Sequence, residues 1–108
     1  MEGKFPESDW KLFRQLQKQA LERFCQRALD EIVQLASSTG KSSHERYLAV
    51  YRLIQVHDER LAAAFDDPRR STALLQLSRV QMEKLLTEDE FARFSEGIRA
   101  SVQGILDM

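Results

Sequence analysis

The sequence predicts an all-α protein, an antiparallel bundle of four helices at about 8–38, 43–65, 68–86 and 88–106 with an unusually long first helix. Three observations carry this expectation. Residues 8–38 contain neither glycine nor proline, so nothing interrupts a helix of about 30 residues, roughly 45 Å at about 1.5 Å per residue. Apolar residues recur at three- and four-residue spacing along the chain, and no segment alternates polar and apolar as a half-buried strand does. Each break between apolar runs also carries the chemistry of a helix end.

In chain order, residues 1–7 read as a loose tail containing Pro6, followed by one helical-bundle domain over 8–108. Ser8 or Asp9 offers a side-chain oxygen to the first free amides of the first helix. Ser37-Ser38-Thr39-Gly40-Lys41-Ser42 is the one loop-like composition, with Gly40 as a left-handed stop. Ser42 and Glu45 have the spacing of a capping box that opens the second helix. Phe65-Asp66-Asp67-Pro68 ends it: the residue before a proline disfavours helical geometry, while proline suits a first helical position. Thr87 and Glu90 form a second capping box, and Glu88, Asp89 and Glu90 suit the positive end of a helix dipole. The junction between the third and fourth helices is so short that a hairpin and a kinked rod both fit it.

Placing residues at about 100° intervals gives each helix a face. The second presents Tyr47, Val50, Ile54, Leu61 and Phe65, flanked by His57, Tyr51 and Asp58. The third presents Leu74, Leu77, Ser78, Gln81, Met82 and Leu85. The fourth presents Phe91, Phe94, Ile98, Ser101, Val102 and Ile105, with Gly97, Ala100 and Gly104 beside them. The small residues suit a close helix crossing. The first helix differs. Its apolar centre is Leu12, Phe13, Leu16, Ala20 and Phe24, and then Leu21, Cys25, Ala28, Leu29, Ile32 and Ala36. That is a rotation of about 100°, where supercoiling accounts for only about 20° per heptad. The two halves therefore face different neighbours. The expectation is that the C-terminal half packs on the other helices and that the end carrying Trp10, Phe13 and Leu16 projects past them to meet another subunit.

Composition narrows function by exclusion. The chain has 108 residues, 43% hydrophobic and 31% charged, enough apolar material for one core and too much for disorder. Sixteen basic and seventeen acidic residues leave a net charge of −1, without the surplus of a dedicated nucleic-acid binder. No apolar stretch approaches a membrane span. Met-Glu-Gly-Lys-Phe-Pro-Glu lacks the charged-then-apolar order of a signal peptide, and the expected location is cytoplasmic. Cys25 is the only cysteine, so neither an intrachain disulfide nor a cysteine-based zinc site is available.

Few residues suggest chemistry. His57-Asp58 resembles a pair of metal ligands, with Tyr47 and Tyr51 alongside as a candidate polar site. A catalytic metal needs at least three protein donors, and the only other histidine is His44. Cys25 lies in an apolar face, where a structural role outweighs a nucleophilic one. Gly40-Lys41-Ser42 lacks the earlier glycine of a phosphate loop. Lys11, Arg14 and Lys18 line one side of the first helix, and Arg69 and Arg70 open the third. Together they are the candidate anion-binding residues, since basic helix faces can grip phosphates.

The expected function is a non-catalytic helical protein–protein interaction or regulatory module acting as a homodimer, without cofactor, metal or membrane contact. The candidate interface is Trp10, Phe13, Leu16, Gly97 and Gly104. The alternative is a nucleic-acid or phosphate-ligand binder using the basic faces. The third reading is a metal-dependent enzyme around His57 and Asp58.

Overall fold

The computed structural model describes residues 5–108. Its helices are α1 (Glu7–Ala36), α2 (Ser43–Phe65), α3 (Ala73–Met82), α4 (Glu88–Ala92) and α5 (Glu96–Leu106). The protein is all-helical and elongated, 56 × 25 × 24 Å. α1 and α2 form a long antiparallel hairpin. α3, α4 and α5 pack at its base, away from the hairpin loop at 37–42.

Two capping boxes set the starts of α2 and α4. The Glu45 amide donates to Ser42 Oγ at 3.0 Å and the Ser42 amide to Glu45 Oε1 at 2.8 Å. Thr87 and Glu90 repeat the exchange at 3.1 and 2.8 Å. Each box satisfies two donors that a helix start leaves free. Gly40 adopts φ +83° in the turn, the left-handed conformation that glycine enters without steric cost.

The expected third and fourth helices are shorter than 68–86 and 88–106. Residues 69–72 form a turn before α3. At the other end, α3 stops without a glycine. Lys84 takes φ +56°, its amide donates to the Gln81 carbonyl at 2.9 Å, and the Leu85 amide donates to the Val80 carbonyl at 3.1 Å. This is a Schellman stop, with the usual apolar contact between Val80 and Leu85, both buried. The fourth expected helix is two, because residues 93–95 break it. Asp9 supplies the reason. Its carboxylate is buried, and it accepts the Ser95 amide at 2.9 Å and the Ser95 hydroxyl at 2.6 Å. Two charge-assisted bonds outcompete continuation of a helix. Asp9 is thus no cap for α1, whose first residue is Glu7.

Two buried clusters lie at the base. One gathers Phe5, Phe13 and Leu16 with Ala73, Leu77, Phe94, Ile98 and Val102. The other joins Ala20 and Phe24 to Ala64, Val80 and Leu85. Removing each large side chain from water stabilises by about 1.5–3 kcal/mol. Residues 1–4 lie outside the described residues. The rest of the expected tail is structured, because Phe5 is 2% exposed and its carbonyl accepts Arg70 Nη2 at 2.6 Å.

The first helix reverses the expected division of labour. Phe13 and Leu16 do not project toward another subunit; they are 2% and 4% exposed in the chain's own core, and Trp10 packs against the same cluster. The cause is the Asp9–Ser95 junction, which brings Phe94 and the start of α5 to this end of α1. The C-terminal half, expected inside, is the uncovered one.

Candidate functional site

None of residues 25–56 is buried. Over this stretch α1 and α2 have only each other, with Ala28, Ile32, Leu35, Val50 and Leu53 half-buried along the seam. Beyond the seam, α1 exposes Leu21 at 37%, Leu29 at 54% and Val33 at 63%, with Cys25 half-buried in the same row. α2 exposes Tyr47 at 69%, Tyr51 at 55% and Ile54 at 41%.

These two rows lie on one side of the hairpin. Arginines identify the opposite side. Arg23 donates to the Leu85 carbonyl and the Glu90 carboxylate, both at 2.7 Å. Arg27 donates to the carbonyls of Glu83 and Lys84 at 2.7 Å, and Arg60 Nε donates to Glu83 at 2.9 Å. All three hold the α3–α4 junction. At about 100° per residue, Cys25, Leu29 and Val33 lie about 120–160° around α1 from Arg27, and Tyr47, Tyr51 and Ile54 about 120–180° around α2 from Arg60. The helices are antiparallel neighbours, so the rows merge into one apolar face that α3, α4 and α5 do not cover. The hairpin's other side is more polar near the loop, where Glu31, Gln34, Ser38 and Lys41 surround a shallow groove together with Leu35 and Leu53; further along α2 it exposes Val56 at 50%.

The electrostatics at the junction concern anchoring. The Arg23 guanidinium, with help from the Thr87 amide, lowers the Glu90 carboxyl to about 2. Arg60 likewise holds Glu83 below the usual carboxylate range. Both acids stay charged at neutral pH; Glu83 ties the end of α3 and Glu90 ties α4 to the hairpin.

The candidate polar residues do not converge. Tyr47, Tyr51 and Asp58 are exposed on the open-face side of α2, whereas His57 is buried at 7% in the seam. Its ring stands edge-on to Phe24 at 5.7 Å, and Glu31 Oε1 lies 3.3 Å from Nε2 without hydrogen-bond alignment. Among the described residues no three histidine, cysteine or acidic side chains are placed to hold a metal ion.

The candidate anion-binding residues also divide. Lys11 pairs with Glu7 at 3.6 Å, and Arg70 binds the Phe5 carbonyl and approaches Glu7 at 3.7 Å. Arg69 pairs with Asp67 at 2.7 Å, Arg14 stacks 5.7 Å over Trp10, and Lys18 is exposed on α1. Gly97 and Gly104 are exposed, and a side chain at either would meet nothing within 4 Å. They mark no close helix crossing within the chain.

Sequence reasoning missed Leu29, Val33 and Ile54 as surface residues. The rotation of the α1 stripe was the available signal, since two faces need two covers and the chain supplies one. Among the described residues no helix is long and apolar enough to cross a membrane. No protein-family model, curated protein or solved structure matches this chain.

Proposed function

We propose that the protein is a non-catalytic helical interaction module whose docking surface is the open face of the α1–α2 hairpin. The observation that carries this reading is the row of exposed Leu29, Val33, Tyr51 and Ile54 on a hairpin that buries no residue between 25 and 56. A contiguous exposed apolar patch marks a surface built to be covered, and tyrosines supply anchors with an apolar body and a polar tip. The scattered polar candidates give the enzyme reading no support. The acidic partners of Lys11, Arg69 and Arg70 weaken the phosphate-binding reading.

Photo-crosslinking in cells tests the module. A photoreactive residue placed at Val33 is expected to give a covalent adduct of discrete mass, and one placed at Gln34 on the polar side is not. No discrete adduct from Val33, or equal adducts from both positions, rejects the reading.

A further inference from the structure

We infer that the occupant of the open face is a second copy of this chain, with two hairpins packing face to face as a four-helix bundle. This rests on reading that face as a docking surface. Two antiparallel helices alone leave their seam residues Ala28, Ile32, Leu35, Val50 and Leu53 half-exposed. A second pair laid on the open side completes the layer that buries such stripes, the arrangement of a four-helix bundle. At the base, α3 and its neighbours supply that layer from one side; toward the loop the chain supplies nothing.

Size agrees. Taking about 1.5 Å per residue and about 10 Å per helix, the part of the face where α2 runs beside α1, from about Lys18 to Ala36, spans roughly 27 × 20 Å, and the single-helix end from Lys11 to Lys18 adds roughly 10 × 10 Å, together about 640 Å² in projection. Specific interfaces bury about 600–1,000 Å² per partner, so one copy of the same face is a cover of sufficient extent.

A two-fold dimer presents the same patch from both sides, so the patch must complement itself. Toward the loop the face carries Cys25, Leu29 and Val33 on α1 and Tyr47, Tyr51 and Ile54 on α2, with no ionised group among them. Toward the base the α1 row carries Glu22 and then the basic Lys18, Arg14 and Lys11, while α2 carries Asp58 and is followed by Asp66 and by Asp67, which Arg69 already pairs. A two-fold axis running along the hairpin lays α1 of each copy over α2 of the other. It brings Lys18 to the height of the partner copy's Asp66, since Arg60 and Phe24 already mark that register within the chain. Loop ends meet loop ends, and the tyrosines flank the same end of the bundle.

Light scattering coupled to size-exclusion chromatography reads the outcome. The expected mass at tens of micromolar is twice the 12.5 kDa of the chain, falling to one chain mass on dilution. Leu29→Asp combined with Val33→Asp is expected to weaken association roughly 100-fold, and Gln34→Asp on the polar side to leave it unchanged. Cys25 provides a readout that needs no variant: alkylation of the native thiol should slow at high protein concentration. Single-chain mass at 100 µM with concentration-independent alkylation overturns the homodimer. So does a dimer indifferent to the double variant while the thiol stays unprotected. An in-cell adduct from Val33 at a mass other than two chains also overturns it, yet leaves the docking-surface reading standing. The absence of any adduct removes both.

Discussion

Phe13 and Leu29 lie on one helix, sixteen residues apart, roughly 24 Å at about 1.5 Å per residue. Phe13 is enclosed by α3, α5 and Phe5, whereas Leu29 touches little beyond the α2 seam and is 54% exposed. Both belong to good amphipathic stripes, and nothing in either stripe alone distinguishes them. The difference is made elsewhere in the chain, by where the short helices return. A stripe states that a residue needs a cover; only the path of the remaining chain states whether the cover is intramolecular.

Truncating each residue in turn separates the two environments most strongly. Phe13→Ala removes a ring that is 2% exposed and should cost about 3–5 kcal/mol, a large share of the ~5–15 kcal/mol that holds a domain of this size. Leu29→Ala, measured by urea denaturation at low micromolar concentration or below, should cost under about 1 kcal/mol. Comparable losses at low concentration would show that the outer hairpin is covered within the chain, against the contrast drawn above.

Asp9 tests how the base is assembled. Asp9→Ala leaves the Ser95 amide and hydroxyl without their buried acceptor and should cost about 2–3 kcal/mol. Hydrogen exchange should report faster opening at the α4–α5 break and around Phe5 and Phe13, with amides of residues 25–56 unchanged at equal protein concentration. Acceleration spread evenly over both regions would mean that base and outer hairpin unfold as one unit.

The helix identities were readable because their signals are local. Capping boxes at Ser42–Glu45 and Thr87–Glu90 involve residues three apart, and the structure holds both. The break at Ser95 was not readable, because its cause is Asp9, eighty-six residues away. The stop after α3 was hidden for a related reason. Lys84 occupies a conformation that usually announces itself through glycine, and Arg27 of α1 binds the exposed carbonyls. The candidate site was half legible. The stripe rotation near Ala20 to Phe24 marked two faces, but assigning them to core and surface required knowing that α5 begins beside Asp9.

Acid should loosen the base before the hairpin. Glu90 is lowered from 4.5 to about 2, chiefly by its hydrogen bonds from Arg23. A folded-state value below the unfolded one stabilises at pH above about 4.5, and that stability is lost as pH falls toward 2. Arg23 is 35% exposed, so solvent screening limits the effect to about 1–2 kcal/mol. Glu90→Gln preserves the capping geometry and removes the ionisation. It should flatten the stability profile between pH 5 and 2 and lower stability at pH 7. An unchanged acid slope would place the acid-sensitive groups elsewhere, with Glu83 beside Arg60 the next to examine.

Lys84→Gly should give the smallest effect, and a gain. Residue 84 sits at φ +56°, a conformation costing an L-residue about 1–2 kcal/mol that glycine avoids. Glycine also raises the entropy of the unfolded chain, which offsets part of the benefit, so the net is about 0.5–1 kcal/mol. The Arg27 bond is unaffected, because its acceptor is the Lys84 backbone carbonyl. The gain should appear as a higher urea midpoint with unchanged slope, and as slower exchange at the amides of residues 84 and 85, which donate to the Gln81 and Val80 carbonyls and close the Schellman turn. Protection in residues 25–56 should not rise below the association concentration. If it did, tightening one turn at the base would stiffen the hairpin to its loop, and the two ends of α1 would be coupled more closely than their unequal burial implies.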